Sequence, residues 1–316
     1  MKKRLFSLSA PGVLAYMAIS NAFVNRVSNH NINMPFDNVH YYNTQNGNVC
    51  YLKFECPESE NRPILLLHEL YPGFSAEEWR AAALRLSKTR TVYALDLPGC
   101  GRSDKPRLSY TRYLYVQLVN HFVEDVTGNG IDVISSGGSF ATVILADRMN
   151  PDAFDHIIAV NPPALHSFGN YPTYLQTITR AILRSPIVGT YLYNMMFSNI
   201  ATTDRLVNYG FYDIEKLDPK FARLIYQSAH YDYQQAKFLY AAIASRYLNL
   251  DITDSLHLYH KKLYFIFGSA YPNYRQVFES YRSQVSSAGM YVLGNTAKFP
   301  HLEDRNGFCN VIERLL

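Results

Sequence analysis

The sequence predicts an α/β fold in which a mostly parallel, twisted sheet carries helices on both faces and a helical lid insertion. Three observations carry that reading. Short continuous apolar runs recur along the chain, the pattern of strands buried on both faces. Segments of helical apolar spacing alternate with them, as βαβ units require. Between Pro163 and about Tyr247 the alternation stops and the text becomes helical.

At the start, Lys2, Lys3 and Arg4 precede a mostly apolar run from Leu5 to Val24. A basic start before an apolar segment reads as a signal peptide or signal anchor, or else as a membrane-surface or packing helix. Its length approaches a membrane span, but Pro11, Gly12, several serines and Asn21 weaken it as one. Residues 1–30 are set apart as this N-terminal segment, and membrane association is expected through residues 2–24. The expected location is membrane-associated or exported, with a cytoplasmic one as the alternative.

From Asn38 the text turns strand-like. "VHYYNTQNG" and "NVCYLKFEC" form two β-rich runs joined through Asn46-Gly47. "RPILLLHEL" is a buried strand, and "SAEEWRAAALRLSKT" a helix with Ser75 at its start and Trp79, Ala83, Leu84 and Leu86 at helical spacing. "RTVYALDLPGCGRSDKP" is a strand ending in a Gly/Pro loop; "YLYVQLVNHFVEDVTG" is a helix closed by Gly128. "IDVISS" is a strand, "FATVILADRMN" a helix, and "DHIIAVNPP" and "KKLYFIFGSAYP" are two further strands. The helical insertion includes "PTYLQTITRAILRSP" and a run from Asp218-Pro219, a favourable helix start. The sheet-bearing core is therefore 38–162 with 248–316, and 163–247 is a lid placed over the C-terminal strand ends, where open α/β sheets bind ligands.

Composition narrows the function. A chain of 316 residues, 48% hydrophobic, can bury one large domain with an insertion. The basic residues are spread along the chain rather than gathered in a block, which argues against nucleic-acid binding. Cys50, Cys56, Cys100 and Cys309 form no CxxC, and no His/Cys cluster has zinc-like spacing, so neither a metal nor a cofactor is expected. Tyrosine is abundant at 26 residues, many of them between Tyr171 and Tyr247, which suits either an aromatic core or an amphipathic pocket lining.

Over about residues 38–316 the chain resembles the α/β-hydrolase superfamily, lid-bearing serine hydrolases in particular. "LLLHEL" resembles the His-Gly oxyanion loop, and "WRAAALRLSKTRTVYALDLPGCGRSDKP" the helix, strand and Asp-x-x-Gly-x-Gly-x-Ser loop that follow it. "FIFGSAYP" stands where the acid-bearing strand ends, and "KFPHLEDR" where the histidine loop and last helix occur. The family's elbow is Gly-x-Ser-x-Gly, its serine on a strained strand-to-helix turn. Here it reads Ser135-Ser136-Gly137-Gly138-Ser139, which puts Gly137 at the nucleophile position. Pro151, similar to the proline that closes the elbow helix, leads back to Gly137 by the family's usual offset of about fourteen residues. By the same alignment Tyr271 stands at the acid position, with Asn161 at the alternative one, and Lys298 stands at the histidine position.

The resemblance implies Ser-His-Asp chemistry, and the residues present withhold it. A triad needs an oxygen nucleophile, a base and an orienting acid; losing the nucleophile alone costs about a million-fold. Glycine relieves the roughly 1–3 kcal/mol of strain that other residues carry at such a turn. By analogy the N–H groups of Leu70 and Gly138 form the oxyanion hole, beside His68 and Glu69 as pocket residues. A carboxylate at Glu69, where the family has glycine, disfavours an oxyanion. The expected function is a catalytically degenerate hydrolase that binds a small apolar ligand or a protein partner. The alternative is an active carboxylic-ester hydrolase, esterase or lipase-like, using Ser139 as relocated nucleophile and His301 as its base. A Ser136–Lys298 dyad is a further alternative, since desolvation lowers a lysine pKa.

Overall fold

The computed structural model describes residues 10–28 and 37–316; the expectation placed on residues 2–9 lies outside them. Eight strands form one sheet: β1 (Val39–Thr44), β2 (Gly47–Phe54), β3 (Ile64–Leu67), β4 (Val92–Leu95), β5 (Ile131–Ser136), β6 (Phe154–Val160), β7 (Lys262–Gly268) and β8 (Gly289–Leu293). Their order is β1-β2-β4-β3-β5-β6-β7-β8. β2 runs antiparallel to β1 and β4, and every other pairing is parallel. The parallel strands β3, β4 and β5 are buried residue by residue, as their uninterrupted apolar text requires.

Thirteen α-helices accompany the sheet among the described residues. α1 (Ala10–Ser28) precedes it; α2 (Arg80–Leu86), α3 (Arg112–Phe122) and α4 (Phe140–Met149) are crossovers. The insertion between β6 and β7 contains α5 (Tyr174–Arg184), α6 (Val188–Met196), α7 (Asn199–Arg205), α8 (Pro219–His230), α9 (Lys237–Ala244) and α10 (Thr253–His257). α11 (Tyr274–Arg282), α12 (Pro300–Glu303) and α13 (Arg305–Leu315) complete the chain. One large apolar cluster fills the side of the sheet covered by α3, α4 and α11, and a second joins α2 and α13 to the other face through Trp79, Ala83, Phe308 and Ile312.

Local chemistry explains where elements stop. Asp218 caps α8 by accepting the Lys220 N–H, and Pro219 occupies its first turn. α8 and α9 read as one run in sequence but are separate helices, because Asp232, Tyr233 and Gln234 all adopt positive φ between them. Trp79 falls in a single 3-10 turn ahead of α2 rather than inside it. The short edge strand β8 has no counterpart in the sequence reading, since most of its residues are exposed.

Topology places a crevice at one point. β3 and β5 are neighbours, but the chain leaves β3 toward β4 and leaves β5 toward β6, so their following loops diverge. Leu67 pairs with Ser135, and two residues beyond each stand Glu69 and Gly137. The insertion packs against the loops around this point. Gly210 accepts the Lys298 N–H at 3.1 Å, Glu303 accepts the Tyr212 N–H at 2.7 Å, and Tyr71 packs tilted against Phe197 and edge-to-face with Tyr240.

Candidate functional site

The turn after β5 is a single 3-10 turn, Gly137–Ser139, leading into α4. Gly137 has φ +53°, the left-handed region that strains any residue with a Cβ. A Cβ placed on Gly137 would stand 2.1 Å from Glu69 Oε2 and 2.4 Å from its Cδ. The Glu69 carboxylate thus fills the space that a side chain at position 137 would need.

Two groups hold that carboxylate. Lys298 Nζ lies 3.1 Å from Glu69 Oε2, and the Gly138 N–H donates to Oε1 at 3.4 Å. The backbone donor assigned to an oxyanion therefore faces a resident anion. Lys298 Nζ also lies over the Phe74 and Phe299 rings, at 5.6 and 5.8 Å from their centroids. Its backbone is fixed from two sides, because its N–H donates to Gly210 and its carbonyl accepts from Asn161 Nδ2 at 2.9 Å.

Asn161 acts as a brace. Its Nδ2 donates to the Ala297 and Lys298 carbonyls, and its Oδ1 accepts the Gly268 N–H at 3.1 Å. It ties the end of β6 to β7 and to the loop bearing Lys298. Tyr271 places its hydroxyl 3.4 Å from the Pro162 carbonyl, and burial raises that hydroxyl's pKa. A neutral phenol does not supply the negative charge that an orienting acid would.

Glu69, Gly137, Asn161, Tyr209, Tyr271 and Lys298 line one cavity of about 740 Å³, within the range of small-molecule sites. A smaller one, about 340 Å³, lies on the other side of Glu69 and is lined by Leu70, Arg112, Gly138 and Phe168 among others. The three positions singled out in the sequence as Gly137, Tyr271 and Lys298 thus meet around one space.

Three other expectations meet different surroundings. His68 is not a pocket residue: it is fully buried, its Nδ1 donates to the Glu69 carbonyl at 2.7 Å, and its Nε2 accepts the Leu97 N–H at 3.0 Å. Burial lowers its pKa, which suits the neutral ring those two bonds need. Ser139 and His301 are not joined. The Ser139 hydroxyl is buried and donates to the His68 carbonyl at 2.5 Å. His301 is sealed in the core, stacked on Trp79 at 4.1 Å between centroids, and neither ring nitrogen has a hydrogen-bond partner among the described residues. Ser136 and Lys298 make no dyad either, since Ser136 is buried and the lysine is committed to Glu69.

Beneath the turn lies a pair that the sequence did not disclose. Glu78 Oε1 stands 3.9 Å from His301 Nε2, both side chains fully buried. Burial, reinforced by the Glu69 charge, holds the Glu78 carboxyl well above the usual carboxylate range. Burial also pushes the His301 imidazole down to about 3. The two are therefore a neutral acid beside a neutral base. The Glu69–Lys298 pairing was also missed as a contact. The signal available was that two aligned site positions carry opposite charges.

At the other end of β5 and β6, Asp132, Asp155 and His156 are close enough to share a cation, but the carboxylates are already paired with Arg90 and Arg62 at 3.2 Å each. Those two guanidinium charges offset what a metal would require.

The model of the alpha/beta hydrolase family matches residues 64–309. No curated protein matches the sequence. Among solved structures, a probable hydrolytic enzyme from Pseudomonas aeruginosa superposes with a TM-score of 0.70 at 17% identity, over 92% of this chain and 97% of that one. An enol-lactonase from Burkholderia xenovorans gives 0.68 at 14% identity over 87% and 98%, and a carboxylesterase from Bacillus subtilis 0.66 at 13% over 94% and 97%. At these identities the likeness is one of fold. With the family model covering most of the sheet and its crossovers, the chain belongs to the alpha/beta hydrolase family.

Proposed function

We propose that this protein is a catalytically silent member of its family that binds a small ligand beneath a helical lid instead of hydrolysing it. The observation that carries the reading is the Glu69 carboxylate, seated where an elbow side chain would stand and locked there by Lys298. Acyl transfer needs an attacking oxygen and vacant donors for the developing oxyanion. At this turn the residue has no side chain, and the Gly138 donor faces a carboxylate. What the geometry supports is recognition. Pro163, Ala164, Val277 and the tyrosine rings give the cavity an apolar wall, and Glu69–Lys298 gives it a polar floor. The ligand class is therefore a small molecule apolar over most of its surface, with one polar end able to bond both charges.

The competing reading, a carboxylic-ester hydrolase with Ser139 as nucleophile, requires that hydroxyl in the cleft, whereas it is buried against the His68 carbonyl. The test is a fluorophosphonate probe applied to the full chain, with p-nitrophenyl butyrate turnover in parallel. The expected result is no serine adduct and no hydrolysis above background. Gly137→Ser alone should restore neither, because Lys298 stands where the base would be and His301 is sealed in the core. A stoichiometric adduct on any serine of the unaltered chain would overturn the reading.

A further inference from the structure

α1 is unusual for a helix on a protein surface because its exposed side is apolar. Its side toward the insertion combines Val13, Met17 and Val24 with the polar side chains of the helix. Asn21 Nδ2 donates to the Ile187 carbonyl at 2.9 Å and its Oδ1 accepts from Asn194, while Asn25 accepts from Gln234 at 3.2 Å. The opposite face carries Tyr16, Ile19, Phe23 and Val27, which are 60%, 70%, 68% and 54% exposed. These residues recur at three- and four-residue spacing and form one continuous strip. Near its end, Val27 opens onto a groove of about 700 Å³, lined also by Val207, Ile214, Leu217, Ala222 and Arg223. A helix that spends its polar groups inward and presents aliphatic and aromatic groups outward implies that its outer face meets something other than water.

Charge identifies the occupant. The basic residues are spread along the chain, but the acids that balance them are not. Residues 1–36 hold Lys2, Lys3, Arg4 and Arg26 and no Asp or Glu, which accounts for the whole net charge of +4. Arg26 lies on the exposed side of α1, beside Phe23 and Val27. No helix among the described residues is long and apolar enough to cross a membrane. An apolar strip joined to a local excess of cations, on a helix that does not span, has the chemistry of an interfacial helix on anionic lipid.

We infer that the outer face of α1 seats the protein on an anionic phospholipid surface, with Tyr16, Ile19, Phe23 and Val27 in the headgroup–acyl boundary and the positive charge of residues 1–36 favouring anionic headgroups. This inference is independent of whether the cavity above Gly137 binds or turns over its ligand.

The test uses the full chain and two kinds of vesicle, phosphatidylcholine alone and phosphatidylcholine mixed with phosphatidylglycerol. The protein should sediment with the mixed vesicles at low salt and partition less as salt rises. Ile19→Asp with Phe23→Asp should lower that partition about tenfold or more, with the thermal midpoint unchanged because neither side chain is buried. Replacing Lys2, Lys3 and Arg4 with glutamine should weaken binding to the mixed vesicles only. Phe23→Trp supplies a second readout, a blue shift of its fluorescence when mixed vesicles are added. No binding of the full chain to mixed vesicles at low salt would overturn the inference, as would equal binding by the aspartate variant. Resistance to alkaline carbonate extraction would overturn it in favour of a span. A dimer split by the aspartate variant, without vesicle binding, would replace the bilayer with a second copy of the chain.

Discussion

Gly101 and Gly137 each sit beneath a carboxylate with nearly the same backbone conformation. A Cβ on Gly101 would stand 2.1 Å from Asp96 Oδ2, and a Cβ on Gly137 would stand 2.1 Å from Glu69 Oε2; their φ values are +49° and +53°. The surroundings differ. Asp96 is buried and accepts the Ala76 and Arg102 N–H groups at 2.6 and 2.7 Å. Beside it Ser103 donates to the Asp96 carbonyl and accepts the Cys50 N–H, and the buried Lys105 ammonium donates to the Cys100, Gly101 and Ser103 carbonyls. Glu69 accepts one long backbone bond and one lysine contact, and it faces a cavity. A buried carboxylate with two short backbone bonds fixes a loop, whereas one with a single long backbone bond beside open space retains accessible acceptor capacity. One local motif thus serves as scaffold in the first place and, under the proposed function, as a recognition surface in the second.

That contrast can be broken experimentally, most forcefully at Gly101. Gly101→Ala drives a Cβ into a carboxylate that cannot move without abandoning two buried N–H groups, and should cost about 3–5 kcal/mol. Calorimetry that found an unchanged midpoint would dissolve the distinction. Gly137→Ser should cost less, about 1–3 kcal/mol, because the strained backbone remains but the Glu69 side chain can swing away. Adding Glu69→Gly should recover about 1 kcal/mol, so a double-mutant cycle reads the contact directly. Strict additivity would mean that the two positions do not share the space.

The smallest effect concerns the pair beneath the turn. Glu78 binds its proton more tightly folded than unfolded, so its contribution falls as pH rises above 4.5 toward the folded value. His301 binds its proton less tightly when folded, so its contribution falls as pH drops below 6.5 toward about 3. Above 4.5 the two slopes oppose each other, the Glu78 loss running toward its raised folded value and the His301 gain ending near 6.5. Glu78→Gln should therefore remove the decline in stability on the alkaline side of 4.5 and shift the stability optimum upward, readable as thermal midpoint against pH. A parallel offset at every pH would show that Glu78 carries no proton linkage.

Much of the architecture was legible because it is written locally. The β1–β2 hairpin, the buried parallel strands and the Asp218-Pro219 helix start depend on neighbours within a few residues. β8 was not legible, because an exposed edge strand lacks the continuous apolar run of the interior ones. The break between α8 and α9 was hidden, because Asp232, Tyr233 and Gln234 are not obligate left-handed residues. In the candidate site, Gly137, Tyr271 and Lys298 were identified by alignment to a family pattern. The sealing of His301 was not, since a histidine beside a proline reads the same whether its ring faces a cleft or Trp79.

The sequence by itself determined that position 137 offers no side-chain oxygen and that the first 36 residues hold an unbalanced positive charge, because both are properties of composition at known places. Only the tertiary structure decided that the Glu69 carboxylate stands in the space above that glycine with Lys298 across from it, and that α1 turns its asparagines inward. Each depends on segments far apart in the chain: the Leu67–Ser135 register and the Asn161 brace for the first, the seating of α1 on the insertion for the second. Registers and docking faces arise from packing summed over many residues, and no short stretch of text contains them.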